Sequence, residues 1–265
     1  MEQIDQFQTF SEHAMLLALS ATRIAVAFLL LPLFSGDLIP ALVRNSIFVA
    51  LAMIVVVVQP GIDVSSFSSM HWFNLFAKEA FIGIAIGVFF GIYLWAFETA
   101  GVLIDMQVGS SMAMIFDPLS GHEVTLFGEF LSLWINFLFV AAGGLLLLTG
   151  ALLSSYGSFP VSMPLGELKA ASVVLIEQEF SSFFKLAIMI ASPILVVLFT
   201  VDMAMGLVNR YAQQLNVLFL SISLKSLAAI IVLLVMMPFL TELLINQIAD
   251  HTAGVESRLN ALIRK

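Results

Sequence analysis

Hydrophobic residues fall in six long runs separated by shorter polar stretches, at about Ala14–Phe34, Ser46–Gln59, Ala80–Gly101, Leu126–Leu153, Phe183–Val201 and Leu215–Leu243. A helix needs about 20 apolar residues to cross the hydrocarbon core of a bilayer. Ser46–Gln59 is too short alone, and Leu126–Leu153 is longer than one span needs. The pattern therefore predicts an all-α chain of about six hydrophobic helices, not all of them simple lipid-facing spans.

The breaks are informative. In LPLFSGDLIPALVR (Leu31–Arg44), Pro32, Gly36 and Pro40 interrupt helix, because proline lacks the amide donor and clashes with the preceding turn. This stretch reads as a tight hairpin. Gln59–Trp72 reads as a polar loop. Ser155–Phe180 is the longest polar connection, and its later part is predicted to form a short amphipathic helix with Glu167, Lys169, Glu177 and Glu179 outward. The tail from Asn246 is polar and partly helical in character. No internal repeat is evident, and residues 1–265 read as a single domain.

Composition sharpens this picture. The chain is 61% hydrophobic and 11% charged, against about 45–50% and about 25% in soluble domains. One soluble core of this size cannot bury so much apolar surface, so lipid or other chains must cover it, and the class is integral membrane protein. There is no cysteine, which excludes disulfides and thiolate metal sites. His13, His71, His122 and His251 are far apart and have no metal-ligand spacing. The net charge of −8 and the lack of a Lys/Arg cluster argue against nucleic acid. The acidic N-terminus lacks the positive flank of a cleaved secretory signal, so the first run reads as retained. Residues 1–150 hold 11 acids and only Arg23, Arg44 and Lys78 as bases, whereas the tail carries Arg258, Arg264 and Lys265. The positive-inside rule then predicts a cytoplasmic C-terminal tail and, more weakly, an external N-terminus.

Three features are candidates for function. Gly83, Gly87 and Gly91 fall at spacing four, on one helical face. Such a smooth face admits a neighbouring helix closely, within the chain or from another subunit. Ionisable residues lie inside or at the edges of apolar runs: Arg23, Glu79, Glu98, Asp105, Glu129, Asp202, Arg210 and Lys225. An unpaired charge at the bilayer centre costs at least about 2.5–3.5 kcal/mol, so these residues must face protein or water. Glu98 and Asp105, two turns apart, mark either a wet or partner-facing stripe or a set of local pairings. The main role expected of these charges is structural. Finally, DMQVGSSMAMIFDPLSG (Asp105–Gly121) places small residues, methionines and an Asp-Pro turn between two long runs. Non-helical backbone at membrane depth is tolerated only inside protein or beside a water-filled cavity. The segment is thus either an ordinary interhelical loop or one that turns into a pore and closes it. No HExxH, nucleophile elbow or activated serine is present, so no enzyme activity is expected.

These motifs, in this order, resemble the SctT/FliR family, the export-gate subunit of type III secretion systems and of the bacterial flagellum. The resemblance runs through Arg23 with LPLF (Leu31–Phe34), IPALVR (Ile39–Arg44), EAFIGIAIG (Glu79–Gly87) and AGVLIDMQVGSSMAMIFDPLSG (Ala100–Gly121). It continues through GGLLLLTGALLSSY (Gly143–Tyr156) and VDMAMGLVNRYAQQLNVLFLSISLKS (Val201–Ser226). SSY followed by Pro160, and the RYAQQLNVLFLSISLK run, resemble the injectisome branch more than the flagellar one. The family often has proline where this chain has Gln213, so no kink is expected there.

The resemblance implies helical hairpins packed in a helical hetero-oligomer of the bacterial inner membrane. Its partners would be several copies of two smaller subunits, SctR/FliP-like and SctS/FliQ-like, with an SctU/FlhB-like switch subunit at the base and an ATPase complex below. Unfolded secreted proteins would pass through the middle, and no cofactor is implied. The implied plug is Gly109, Ser110, Ser111, Met112, Ala113, Met114, Ile115 and Phe116, tipped by Met112, Met114 and Phe116. Arg23, Glu79, Glu98, Asp105, Gln107, Asp202, Arg210, Asn216 and Lys225 would serve as intramembrane polar and assembly residues. A self-sufficient small-solute transporter is the rival reading. Transporters often show paired broken helices in two related halves, and no such repeat is evident here.

Overall fold

A computed structural model describes the backbone of residues 2–34, 38–58, 69–109, 125–162, 170–212 and 216–252, with side-chain surroundings for 14–34, 38–58, 70–109, 125–162, 177–212 and 216–245. These residues form seven α-helices and one 3₁₀ turn: α1 (Glu2–Leu29), the turn Pro32–Phe34, α2 (Ala41–Val58), α3 (Ser69–Val108), α4 (Leu126–Ala141), α5 (Gly144–Ser158), α6 (Ala170–Tyr211) and α7 (Val217–Thr252). Among the described residues there is no strand. The fold is all-α, as the hydrophobic pattern predicts.

Each apolar run contains helix, and the fourth contains two. Leu126–Leu153 breaks between α4 and α5. The cause is Gly143, which adopts φ +80° immediately before α5, a conformation that only glycine reaches cheaply. By length and composition, α2, α3, α6 and α7 can each cross a membrane, and the bent α4–α5 pair counted as one span makes five. The apolar part of α1, Ala14–Leu29, is shorter.

Two details depart from expectation. The Ser155–Phe180 connection does not end in a separate amphipathic helix: residues 163–169 lie outside the described residues, and from Ala170 the chain is already in the 42-residue α6. Apolar Val173–Ile176 leaves no breaker between the polar stretch and the following run. Second, no kink is expected near Gln213, yet α6 ends at Tyr211 and α7 begins at Val217, with 213–215 outside the described residues. Proline does occur inside α6 and α7, at Pro193 and Pro238. Pro193 cannot donate to the Met189 carbonyl, and the Ser192 hydroxyl donates to it instead at 3.2 Å, the usual way a membrane helix re-satisfies a freed carbonyl.

The residues group into two compact units: 1–92 with 143–179 and 251–265, and 93–142 with 180–250. In the first, α1 and α2 form the hairpin that the proline and glycine breaks predict. Its turn is sealed by Phe28, Phe34 and Phe48, with Phe28 and Phe34 edge-to-face at 4.7 Å and Phe28 and Phe48 at 5.6 Å. Arg44 donates to the Phe34 carbonyl at 2.9 Å. Leu19, Ile24, Leu75, Ile82, Ile86, Leu148 and Leu152 complete its core. In the second unit, Leu94, Phe97, Ile104, Leu131, Ile135, Ile194 and Leu198 are buried, and Phe97 lies 6.3 Å from Trp134.

Candidate functional site

In the first unit a polar hub sits within the helices. Arg23 and Glu79 are both fully buried. The guanidinium grips the carboxylate with two hydrogen bonds, Nε to Oε2 at 2.7 Å and Nη2 to Oε1 at 3.0 Å, the fork geometry that makes such pairs strong and directional. Its remaining donors reach the Ser155 hydroxyl at 2.8 Å and the Phe159 carbonyl at 2.9 Å. The Tyr156 ring lies 3.9 Å from the guanidinium carbon, and the Tyr156 hydroxyl donates to the Ser20 carbonyl at 2.6 Å. Lys78 is buried beside them, 2.8 Å from Glu79, and donates to the carbonyls of Pro160 and Val161 at 2.8 and 3.0 Å. Two cations thus face one anion. The excess positive charge is met by the carbonyls of residues 159–161, beside the negative end of α5.

The glycine face explains how this hub closes. A Cβ on Gly83 would stand 2.7 Å from the Arg23 carbonyl, and one on Gly87 would stand 2.9 Å from the Ala27 carbonyl. Glu79, Gly83 and Gly87 share a face of α3, so the glycines bring its backbone against α1 while Glu79 reaches Arg23. Gly91, third in the series, is buried. Of the two readings of this face, the intramolecular one describes Gly83 and Gly87.

The second unit holds the flanks of the candidate plug. Ser110, Ser111, Met112, Ala113, Met114, Ile115 and Phe116 lie outside the described residues. Gly109 ends α3 at φ +99°, with its amide still bonded to the Asp105 carbonyl at 3.0 Å. On the far side, Thr125 precedes α4 and makes no side-chain cap. Asp105 supplies the acceptor instead: its Oδ2 receives the Gly128 amide at 2.9 Å. Asp105 is 2% exposed. The wet or partner-facing stripe is therefore not formed at this position, because the carboxylate turns inward to an otherwise orphaned amide at the start of α4. Glu98 is half-buried, with the Ser132 hydroxyl at 3.4 Å.

A second polar cluster holds the end of α3 to α6 and α7. Lys225 Nζ lies 3.1 Å from Asp202 Oδ1 and donates to the Gln107 carbonyl at 2.8 Å. The Gln107 side-chain amide donates to Asp202 Oδ2 at 2.9 Å, and the Ser221 hydroxyl approaches Oδ1 at 3.4 Å. A lysine on the last carbonyls of a helix also complements its dipole. Arg210 and Asn216 are brought into neither cluster and are exposed, as is Glu129. Among the described residues no group of three or more His, Asp or Glu could hold a metal.

Sequence reasoning singled out Arg23, Glu79, Asp202 and Lys225, but not as two clusters. It missed Lys78, Ser155 and Tyr156 as hub members. The signals were an adjacent Lys-Glu pair opening an apolar run and a Ser-Ser-Tyr closing one.

The family of bacterial export proteins, family 1, matches residues 14–251. The chain is 32% identical to the secretion system apparatus protein SsaT of Salmonella typhimurium over 235 residues, covering 88% of this chain and 90% of that protein. It is 32% identical to the Yop proteins translocation protein T of Yersinia pestis over 217 residues, covering 80% and 82%. It is also 32% identical to the flagellar biosynthetic protein FliR of Bacillus subtilis over 221 residues, covering 81% and 83%. The secretion and flagellar relatives stand at the same identity, so identity does not separate the two branches. With the family matching residues 14–251 and these relatives at 32% identity over most of their length, the chain belongs to the bacterial export proteins, family 1, the SctT/FliR family.

Proposed function

We propose that this chain is a non-enzymatic core subunit of a type III protein-export gate, forming and closing the conduit for unfolded substrates across the bacterial inner membrane. The observation that carries this reading is the family membership, with relatives named as secretion-apparatus, translocation and flagellar biosynthetic proteins. The helices support it. α2, α6 and α7 are long and apolar, yet only 17%, 33% and 22% of their apolar windows are buried by the chain itself. Arg23, Lys78, Glu79, Asp202 and Lys225, by contrast, are gathered into two internal clusters. This is the distribution expected of a subunit whose outer helices are covered by neighbours or lipid.

The partners are two smaller hydrophobic subunits in several copies, SctR/FliP-like and SctS/FliQ-like, with an SctU/FlhB-like switch subunit. The closing element is Gly109–Phe116, whose Met112, Met114 and Phe116 provide an apolar seal, since hydrophobic constrictions gate by excluding water. Its C-terminal tail lies in the cytoplasm. Deleting Ser110–Ile115 is expected to raise ion leakage across the inner membrane while the complex still assembles. An unchanged leakage in assembled complexes removes the closing role. Mild detergent extraction is expected to recover the chain with its two smaller partners. A stable lone protein that moves a solute into liposomes would instead establish a transporter.

A further inference from the structure

Within the second unit, α3 and α4 meet backbone to backbone: a Cβ on Gly101 would collide with the Phe127 carbonyl and lie 2.6 Å from Gly128 Cα and N. The contact gives α4 two faces. Phe127, Leu131, Ile135 and Phe139 are buried. Leu126, Phe130, Leu133, Phe137 and Val140 are exposed. Their spacing of four, three, four and three draws them into one seam, the alternation with which one helix receives another.

The same two helices are short of donors. Glu98 on α3 is half-buried, and among the described residues its bond is the 3.4 Å one from the Ser132 hydroxyl. Ser132 adjoins Leu133, so this carboxylate lies at the edge of the seam. Glu129, one turn before Leu133, is exposed. Neither acid has an ion-pair partner among the described residues, where Arg23, Lys78 and Lys225 are committed to Glu79 and Asp202. Asn136, one turn beyond Ser132 on α4, is buried and its Oδ1 accepts no hydrogen bond. Acceptors in apolar surroundings are costly until a donor meets them. Acyl chains hold no donor, and a carboxylate repels the phosphate of an anionic headgroup. A side-chain cation on an apolar helix meets both the seam and the acids.

We propose that the outer face of α4 is a docking surface for an apolar helix of a neighbouring membrane subunit, one that carries a lysine or arginine opposite Glu98. This rests on the reading of the chain as an export-gate subunit and names the kind of contact by which one neighbour joins it. Phe130 and Phe137 are the anchors of the seam. Glu98 sets the register, because a smooth apolar seam fixes no height of its own whereas one carboxylate accepts a cation at one height.

The test uses the complete assembly in its own membrane. Phe137 is replaced by the photo-cross-linker benzoylphenylalanine, and adducts are mapped by peptide mass spectrometry. The expected adduct is with an apolar helix of another subunit that bears Lys or Arg within about two turns of the linked residue. Glu98→Gln is expected to lower the adduct yield severalfold and Glu98→Lys to abolish it. Exchanging the mapped cation for glutamate should restore the yield of Glu98→Lys, which a merely structural role of Glu98 would not allow. Adducts with lipid alone, with this chain's own helices or with a helix lacking such a cation overturn the proposal, as does wild-type yield in both Glu98 variants or a failed restoration. Should Glu98→Lys not accumulate, the isosteric Glu98→Gln decides, lowered yield supporting the docking and unchanged yield overturning it. Recovery of the chain with its two smaller hydrophobic partners, beside any overturning result, leaves the export-gate reading standing. Recovery without them removes that reading itself.

Discussion

At the scale of single residues, ionisable groups divide by what they touch. Arg23 and Glu79 are fully enclosed, and each satisfies the other. Removing one partner of such a buried pair leaves an uncompensated charge and typically costs about 3–5 kcal/mol. Arg23→Ala is therefore expected to abolish recovery of the assembled complex. Arg23→Lys is expected to rescue little, because an ammonium cannot supply the fork to Glu79 together with the bonds to Ser155 and Phe159. Wild-type recovery of either variant on a native gel would contradict this account. Asp202 and Lys225 are less enclosed, with the Asp202 side chain 36% exposed, but they tie three helices together. Asp202→Ala should lower complex yield before it changes leakage. Normal yield with altered leakage would reverse that order. That Arg23 and Glu79 mattered was legible in the sequence, since charges inside apolar runs must have partners. Which partners was not: Glu79 lies 56 positions and Ser155 132 positions from Arg23, distances that only the folded chain closes.

Helices show the same division between what periodicity reveals and what packing decides. The spacing-four glycines were readable because one helical face follows from 3.6 residues per turn. Gly101 and Gly128, which bring two helices into backbone contact, follow no such series and gave no signal. Gly143 lay in a visible Gly-Gly pair, yet the surrounding apolar run masked the break. These sites also differ in consequence. Gly83→Ala would force its new methyl against the Arg23 carbonyl and should destabilise by about 1–3 kcal/mol, the usual cost of overpacking. Gly150 faces open space within the chain, so Gly150→Ala should be neutral or stabilising by up to about 1 kcal/mol through helix propensity. Thermal denaturation of the two variants in detergent checks the contrast. Equal loss of stability at both positions would mean that steric contact with α1 is not what the Gly83 position protects.

On the scale of the whole chain, the open quantity is how many times it crosses the membrane. Four helices are long and apolar enough, the bent α4–α5 pair raises the total to five, and counting the shorter α1 would make six. Charge placement bears on this number. Under the positive-inside rule Arg258, Arg264 and Lys265 predict a cytoplasmic tail, whereas the acidic N-terminus is predicted to be more easily translocated. Termini on opposite sides would require an odd count, met by α2, α3, α6 and α7 with either the bent α4–α5 pair or α1 as the fifth span. The chain has no cysteine, so single reporters can be introduced without background. A cysteine at Lys265 should react with a membrane-impermeant reagent only after the inner membrane is opened, and one at Gln3 should react beforehand. Protection of both until opening would place both termini inside and make the count even, either four, with the α4–α5 pair not crossing, or six, with α1 crossing as well.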